Sequence, residues 1–327
     1  MSTAPTTPTP VRSVALGSSG LQVPNVVLGL MRIADLEDRA IRDLWTAARE
    51  SGITFLDHAD VYGGALHRSE ERFAEAVPLS SSERAEVIIQ SKAGIVPPQD
   101  GDPGSGPYFD YSYEHLVEAV EGSLRALRTD YLDVLLLHRP DALVEPDEVA
   151  RAFDELHAAG KVRHFGVSNH TPAQIELLRR SVRQPLVANQ LQLSITHASL
   201  VAQGVAMNMT GLDQSISRDV GTLDYCRLND LTVQTWSPFQ AGFFDGVFLD
   251  NPKYPELNAV LDRLAAEYDV PALAVATAWI TRHPAGMQVV LGTTNPDRVR
   301  AAAQGSDLRL TRAQWYELFR AAGHTVP

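Results

Sequence analysis

Residues 131–169 read YLDVLLLHRPDALVEPDEVARAFDELHAAGKVRHFGVSN, and they contain the pattern that decides the fold. The run 131–138 is almost entirely apolar, as expected for a strand that is buried on both faces. Residues 147–159 repeat apolar positions at helical spacing and end before Gly160, a residue that suits the position after a helix. A second strand-like run follows at 162–169. The stretch therefore predicts a strand–helix–strand unit with parallel strands.

The same alternation extends in both directions from this unit. Short strand-like runs occur at 25–30, 54–59, 86–92, 131–138, 162–169, 186–193, 232–238 and 287–293. Helical patterns lie between them, for example at 38–51, 113–127, 147–159 and 172–181. Thr171-Pro172 is typical of a helix start, and Gly52 of a helix end. Eight strand–helix pairs in 327 residues predict an α/β protein, a single closed (β/α)8 TIM barrel.

The domain organisation follows from the extent of this pattern. We expect one barrel domain over residues 13–327 and a disordered tail over residues 1–12, which are rich in Ser, Thr and Pro. An additional C-terminal helix is expected at 312–322. The segments 97–111, 196–228 and 241–254 do not fit the alternation and are expected to be extra loops at the C-terminal face. Since barrel enzymes bind substrates at that face, we expect these loops to contact the substrate.

Charge and cysteine content exclude several classes of function. The formal net charge is −12 at pH 7, and an acidic surface repels nucleic-acid phosphates and anionic membranes alike. The single cysteine, Cys226, cannot form an intrachain disulfide. The N-terminal residues lack the features of a signal peptide, and no apolar segment approaches the ~20 residues that span a bilayer. We therefore expect a cytoplasmic protein that binds neither nucleic acid nor membranes.

Polar side chains stand at the ends of three neighbouring strand-like runs. Asp57 lies within the second run, with Tyr62 in the turn after it, Lys92 ends the third run and His138 ends the fourth. Each residue alone has an ordinary structural explanation: a helix cap or ion pair, a packed ring, a solvated charge, a semi-buried histidine. Because the strands of a barrel end at one face, however, the four side chains should share one pocket.

These four groups form a combination with a chemical purpose. A phenol has a pKa near 10 and is a weak acid at neutral pH, but a neighbouring ammonium lowers that pKa. We expect Lys92 to act on Tyr62 in this way while Asp57 holds Lys92 as an ion pair. His138 would orient a bound carbonyl oxygen, and Tyr62 would protonate it while a hydride reaches the carbon. The four residues predict a reductase site for aldehydes or ketones.

The residues around this site resemble the aldo-keto reductase superfamily. Residues 52–63 read GITFLDHADVYG and match its Asp-x-Ala-x-x-Tyr-Gly motif. Residues 138–141 read HRPD and residues 160–169 read GKVRHFGVSN, as in a branch of bacterial oxidoreductases of that superfamily. The resemblance runs from about Val14 to the end of the chain. It implies a (β/α)8 barrel, a catalytic tetrad and a nicotinamide cofactor.

The resemblance also assigns roles to individual positions. The tetrad is matched without substitution by Asp57, Tyr62, Lys92 and His138. The positions implied to contact the cofactor are Gly29, Met31, Arg32, Ser168, Asn169, Gln190, Trp236, Ser237, Pro238, Gly242, Gly292, Thr293, Thr294 and Arg298. Trp236 stands where the family places an aromatic ring on the nicotinamide, and Arg298 stands where it places an arginine near the adenosine 2′-phosphate. Arg298 favours NADP(H). Many members have a Lys at the position of Gly292, so one cation remains for the phosphate and NAD(H) is the alternative.

Another class of protein shares the same resemblance. Some barrels of this kind act chiefly as regulatory or sensor subunits with little turnover, for example those of potassium channels, and an intact tetrad does not distinguish them. A metal site is not expected, because the histidines of residues 138–170 lack the spacing and the neighbouring carboxylates of a metal centre. The expected partner is a small carbonyl substrate, and the expected assembly is a monomer or a small homo-oligomer.

Overall fold

The computed structural model of the chain describes residues 11–98, 106–242 and 245–327. Its strands, in chain order, are β1 (Ser13–Ala15), β2 (Gln22–Pro24), β3 (Val26–Gly29), β4 (Phe55–Asp57), β5 (Ile88–Ala93), β6 (Ile95–Val96), β7 (Tyr108–Phe109), β8 (Leu132–Leu137), β9 (Val162–Ser168), β10 (Leu186–Gln192), β11 (Thr232–Trp236) and β12 (Gln288–Leu291). Its helices are α1 (Asp38–Glu50), α2 (Arg68–Ala76), α3 (Ser81–Ala85), α4 (Tyr113–Leu127), α5 (Pro146–Ala158), α6 (Pro172–Arg179), α7 (Ser199–Val205), α8 (Thr222–Leu228), α9 (Pro255–Tyr268), α10 (Ala272–Thr281), α11 (Pro296–Gln304) and α12 (Arg312–Ala321). Within these described residues, no helix combines the length and the apolar character needed to cross a lipid bilayer.

Eight of the strands form a closed parallel barrel. Their order around it is β3, β4, β5, β8, β9, β10, β11 and β12, and β12 pairs with β3 to close the circle. Each coincides, within two residues at either end, with one of the strand-like runs of the sequence. The predicted (β/α)8 TIM barrel is therefore confirmed. Because all eight strands run the same way, their C-terminal ends meet at one face.

The N-terminal end of the barrel is closed by apolar packing. Val27, Phe55 and Val134 fill the interior and form one buried cluster with Leu16 and Val23 of the β1–β2 hairpin. The hairpin covers the N-terminal end of the barrel. Ligands therefore approach from the opposite end, where the strands finish.

The C-terminal helix predicted at 312–322 is present as α12. Trp315 stacks on Trp279 of α10, with ring centroids 4.8 Å apart and planes 9° from parallel. The indole nitrogen of each ring donates a hydrogen bond to the backbone oxygen of the other, at 2.8 and 3.3 Å. Burying two indole rings while satisfying both N–H groups anchors α12 to the outer helical layer.

The start of the ordered barrel lies slightly earlier than predicted. Residues 1–10 of the predicted tail lie outside the described residues. Val11 is 8% exposed, and the guanidinium of Arg12 donates to Thr281 O at 2.8 Å. The last two residues of the predicted tail therefore pack against the barrel, because Val11 is buried there and Arg12 is hydrogen-bonded there.

Close packing between strands makes Gly166 of β9 sensitive to substitution. A Cβ at this position would lie 2.7 Å from Leu136 Cδ2 and 2.9 Å from Ala188 O. Because the second atom belongs to the backbone of a neighbouring strand, it cannot move aside without disturbing the barrel. We expect Gly166→Ala to lower the free energy of unfolding by about 1–3 kcal/mol, measured by urea denaturation.

Gly204→Ala is the matched control for this prediction. Gly204 lies in α7, where a Cβ would meet no atom within 4 Å. Alanine favours a helix over glycine by roughly 0.5–1 kcal/mol, so this variant should be neutral or slightly more stable. Equal losses in the two variants would show that the contacts of Gly166 are not the cause.

Candidate active site

A cavity of about 910 Å³ opens at the C-terminal ends of the barrel strands. Most of the predicted site residues line it, namely Gly29, Met31, Arg32, Asp57, Tyr62, His138, Ser168, Asn169, Gln190, Trp236, Ser237, Pro238, Gly292, Thr293, Thr294 and Arg298. Lys92 is buried beneath it, and Gly242 is not part of its lining. The barrel thus brings together side chains that are far apart in sequence, as the order of the strand ends predicted.

Asp57, Lys92 and Tyr62 form one hydrogen-bonded chain at the floor of the cavity. Lys92 Nζ donates to Asp57 Oδ2 at 2.8 Å and to Tyr62 Oη at 3.2 Å. Its third bond goes to the backbone oxygen of His58 at 2.7 Å. All three ammonium donors are therefore used, which fixes Lys92 between the carboxylate and the phenol.

The pKa of the Tyr62 phenol differs from the sequence-based expectation. Burial raises this pKa above its ordinary value, and Lys92 lowers it by a smaller amount. The ammonium thus acts in the predicted direction, but the loss of water around the phenolate outweighs it. Tyr62 is consequently fully protonated at neutral pH.

Lys92 keeps its charge although it is 1% exposed. Burial acts to lower the pKa of its ammonium, but Asp57 and Tyr62 together outweigh burial, and the net pKa is raised. An ammonium that holds its proton in a dry environment is a strong local source of positive potential. Any negative charge that develops on the oxygen of Tyr62 would be stabilised by it.

His138 is a neutral group at the edge of the same floor. Burial, together with the positive charges of Lys92 and Arg139, holds the pKa of its imidazole well below the ordinary value. Its ring meets the Tyr62 ring edge-on, with centroids 5.6 Å apart. In the described part of the chain, no group of three or more His, Cys, Asp or Glu residues is arranged to hold a metal ion. The imidazole is thus suited to hydrogen bonding.

A network of buried glutamine amides holds Asp57 from the other side. Gln90 Nε2 and Gln190 Nε2 donate to Asp57 Oδ1 at 2.5 and 3.0 Å. Both also donate to Gln234 Oε1, and Gln234 Nε2 donates in turn to Gln90 and Gln288. Gln90 and Gln234 were not among the predicted residues. The sequence did indicate them, because four of the apolar strand runs contain glutamine, and a buried glutamine side chain needs a hydrogen-bond partner.

Ser168, Asn169 and Trp236 form a second connected group. Asn169 Nδ2 donates to Ser168 Oγ at 2.8 Å and to His138 O at 3.3 Å, and Trp236 Nε1 donates to Asn169 Oδ1 at 3.1 Å. Asn169 and Ser237 both have left-handed backbone conformations, with φ of 63° and 53°. Such conformations cost energy in residues other than glycine and cluster at functional sites. Here they turn the chain sharply at the ends of β9 and β11.

Arg32, which follows β3, and Arg298 of α11 bring two guanidinium groups to the cavity. Arg32 Nη1 donates to Gly292 O at 2.8 Å, and a Cβ on Gly292 would lie 3.3 Å from that nitrogen. Arg32 therefore lies next to the position that a side chain at residue 292 would take. Its guanidinium is a second cation, in addition to Arg298, on the cavity wall. Asn295 Oδ1 accepts from the backbone of Asp297 at 2.8 Å and of Arg298 at 3.4 Å. The amide of Asn295 is thus used to cap α11.

The loops expected to contact the substrate behave differently from one another. No residue of 196–228 lines the cavity; this segment forms α7, a 3₁₀ turn and α8 outside the barrel. The expectation for that segment is therefore not supported: α8 contacts β11, α6 and α7 instead. Val247, Leu249 and Asp250 of 241–254 do line the cavity. Residues 99–105 of the first loop and residues 243–244 lie outside the described residues.

Comparison with known proteins identifies the class. The Aldo/keto reductase family model matches residues 25–321. Oxidoreductase YdhF of Escherichia coli (strain K12) is 35% identical over 322 residues, which cover 97% of this chain and 100% of YdhF. The 6-dehydroglucose reductase of Agrobacterium fabrum is 34% identical over 310 residues, which cover 93% of this chain and 96% of that protein. The chain therefore belongs to the aldo/keto reductase family and is an oxidoreductase of that family.

A solved structure agrees with this assignment at the level of the fold. A thermostable aldo-keto reductase in complex with the inhibitor epalrestat matches with a TM-score of 0.73 at 22% identity, covering 94% of this chain and 99% of that one. At such identity the likeness supports the barrel alone. Members of the family generally use nicotinamide cofactors, and a cavity of this size lined by an aromatic ring and several guanidinium groups suits such a ligand.

Proposed function

We propose that the protein is an NADP(H)-dependent reductase that converts aldehydes or ketones to alcohols. The observation that carries the proposal is the chain Asp57–Lys92–Tyr62 beside neutral His138 at the floor of the cavity. A protonated phenol, a fixed ammonium and a neutral imidazole together suit the delivery of a proton to a carbonyl oxygen. A bound reduced nicotinamide would supply the hydride for the carbonyl carbon.

Tyr62 is the general acid in this proposal. Burial keeps the phenol protonated before reaction, as a proton donor must be. When Tyr62 gives up its proton, the phenolate forms 3.2 Å from Lys92 Nζ, and the ammonium stabilises the charge as it develops. His138, as a neutral imidazole, donates a hydrogen bond that orients the carbonyl oxygen. Asp57 touches Lys92 and acts through it as a positioning residue.

The residues proposed to hold the cofactor have different amounts of free hydrogen-bonding capacity. The side-chain amide of Asn169 is engaged with Ser168, His138 and Trp236, so its role is to fix those groups. Gln190 Nε2 is engaged with Asp57, which leaves Gln190 Oε1 as the acceptor for the nicotinamide carboxamide. The Trp236 face would stack on the nicotinamide ring.

The remaining proposed contacts surround the phosphates and the adenosine. Further lining residues of the same cavity are Gly29, Met31, Ser237, Pro238, Thr293 and Thr294. Gly242 lies outside the lining and would support the 237–242 turn. Arg32 and Arg298 supply the positive charge for the cofactor phosphates.

Arg298→Ala should weaken NADPH far more than NADH. A charge-assisted hydrogen bond to phosphate contributes about 1.5–3 kcal/mol, so we expect the Kd for NADPH to rise about 10- to 100-fold while that for NADH changes little. Fluorescence titration of both cofactors measures this. Arg300→Ala is the control, because Arg300 of the same helix is not among the lining residues and pairs with Glu50 and Asp297. Equal weakening of both cofactors would mean that Arg298 does not read the 2′-phosphate.

One assay tests the proposed function directly. The purified protein is mixed with NADPH, and in a separate series with NADH. Each series contains a panel of aromatic aldehydes, α-dicarbonyls and 6-dehydroglucose; the last compound gives one of the relatives its name. Loss of reduced-nicotinamide absorbance with any member of the panel supports the reductase. Tight cofactor binding without turnover of any of them would favour the regulatory or sensor alternative.

A further inference from the structure

Arg139 carries a positive charge into the cavity beside the catalytic residues. It follows His138 directly at the end of β8, is half-buried and lines the same cavity. Its guanidinium carbon lies 5.7 Å from the centre of the Trp236 ring. Its charge contributes to the lowered pKa of His138, so the two groups are close enough to interact. Arg139 therefore stands next to the place where a carbonyl group would react.

The guanidinium of Arg139 has no acceptor within the described part of the chain. Among those residues, no carboxylate forms an ion pair with it and no oxygen accepts a hydrogen bond from it. Arg84, by contrast, is buried against Asp133 at 2.8 Å. Burial lowers the pKa of Arg139, which reflects the cost of removing water from an unpaired charge. Such a charge is stabilised when a ligand supplies the missing anion.

Asp141, two residues further on, is the carboxylate that could have neutralised Arg139. Its two oxygens accept from backbone amides instead of from the guanidinium: Tyr111 N donates to Oδ2 at 3.1 Å, and Leu143 N donates to Oδ1 at 2.8 Å. The Tyr111 hydroxyl also donates to the backbone oxygen of Arg139. These contacts tie down the carboxylate and the backbone while leaving the guanidinium free to face the cavity.

The charges of the other catalytic groups cancel. Asp57 and Lys92 form a neutral ion pair, Tyr62 is protonated because its pKa is raised, and His138 is uncharged because its pKa is lowered. Arg139 thus carries a positive charge that none of these groups offsets, in a protein whose overall charge is −12. The attraction for an anion is local and is not a property of the whole surface.

We propose that Arg139 selects carbonyl substrates that carry a carboxylate a few bonds away from the reacting carbonyl. The planar guanidinium would bind the carboxylate through two parallel hydrogen bonds while His138 and Tyr62 hold the carbonyl oxygen. This inference rests on the proposed reductase function. It adds the substrate class, an aldehydic or ketonic acid, and the residue that recognises it.

Matched pairs of aldehydes test the inference. The kcat/KM of the whole protein is measured for 4-carboxybenzaldehyde against 4-methylbenzaldehyde, and for succinic semialdehyde against butanal. We expect the wild type to prefer the carboxylate in each pair, and Arg139→Gln to reduce that preference by about 10- to 100-fold. Arg139→Lys should restore part of this preference, because lysine keeps the positive charge. It should not restore all of it, because lysine lacks the planar guanidinium that binds a carboxylate through two hydrogen bonds. In the wild type, the preference should also fall as NaCl is raised.

Three further readouts separate this inference from its rivals. Arg180→Gln removes the same charge after the C-terminal end of α6, at the opposite face of the barrel, and should leave the preference unchanged. D-glyceraldehyde, a neutral hydroxylated aldehyde, should depend on Arg139 much less than the acids do; equal dependence would show recognition of hydroxyl groups and overturn the proposal. If Arg139→Gln weakens NADPH binding and leaves the preference intact, Arg139 serves the cofactor and the proposal is wrong.

The failure of the inference is distinguishable from the failure of the proposed function. Reduction of the acidic and neutral aldehydes with equal kcat/KM by the wild type would leave a reductase without anion selection. Absence of turnover with every aldehyde would overturn the reductase itself, and the inference with it.

Discussion

Tyr62→Phe should lower kcat for aldehyde reduction by about 10²- to 10⁴-fold, the usual contribution of a general acid. The substitution removes the hydroxyl that hydrogen-bonds Lys92 at 3.2 Å and retains the ring that packs edge-on against His138. Cofactor affinity should stay close to that of the wild type, because the phenol is not among the proposed cofactor contacts. Single-turnover kinetics and fluorescence titration measure the two quantities separately.

Tyr131→Phe is the control for this prediction. Tyr131 directly precedes β8 at the N-terminal end of the barrel, where its ring lies against the guanidinium groups of Arg84 and Arg163 at 3.9 and 3.6 Å. Loss of its hydroxyl should leave turnover unchanged. Unaltered turnover in Tyr62→Phe would rule out Tyr62 as the acid, regardless of the turnover measured for Tyr131→Phe.

Lys92→Met should reduce turnover by at least about 100-fold, since the phenolate then forms without a neighbouring positive charge. The pH dependence should move as well. Burial raises the pKa of Tyr62, and Lys92 is the main group that lowers it. Without Lys92 the pKa rises further. The reverse reaction, alcohol oxidation, needs the phenolate as a base, so its half-maximal rate should shift to higher pH.

Lys92→Met also removes the ion-pair partner of Asp57, and this effect needs a control. Gln90 and Gln190 still donate to Asp57 after the substitution, so the barrel should remain folded. Lys161→Met removes a lysine that pairs with Glu121 before the start of β9, on the opposite face, and should be fully active. Full activity of Lys92→Met, or an unshifted pH profile for oxidation, would contradict the role given to Lys92.

The sequence by itself determined the barrel and the ends of several helices, because these depend on local patterns. The strand-like runs keep their apolar character over the lengths that strands require. Thr171 caps α6 through a reciprocal pair of hydrogen bonds with Gln174, as its position before Pro172 predicted. Gly52 and Gly160 adopt φ of 77° and 71°, a conformation that glycine adopts without strain.

The sequence also determined which four side chains meet at the floor of the cavity. Asp57 is the last residue of β4, Lys92 lies one residue before the end of β5 and His138 directly follows β8, while Tyr62 lies in the turn after β4. In a closed parallel barrel the order of strands along the chain is the order around the circle. Residues at the C-terminal ends of successive strands therefore become neighbours, and their grouping needs no knowledge of the packing.

Only the tertiary structure decided how strongly each of these groups is perturbed. The position of Lys92 predicted a lowered pKa for Tyr62, yet burial of the phenol outweighs the ammonium. Burial is a sum over contacts from many elements, so the spacing of two residues cannot give it. For the same reason, the packing of 196–228 away from the cavity could not be inferred from its place between strands.

The partners of polar side chains were likewise decided by tertiary structure. Asp57 is held by amides from β5 and β10, and Asp141 is occupied by backbone N–H groups, one of them at Tyr111. The second arrangement leaves Arg139 unpaired at the cavity, although Asp141 stands two residues away in sequence. A hydrogen bond depends on distances of about 3 Å and on direction. Residues that the fold brings together from distant segments settle such contacts, and a one-dimensional pattern does not encode them.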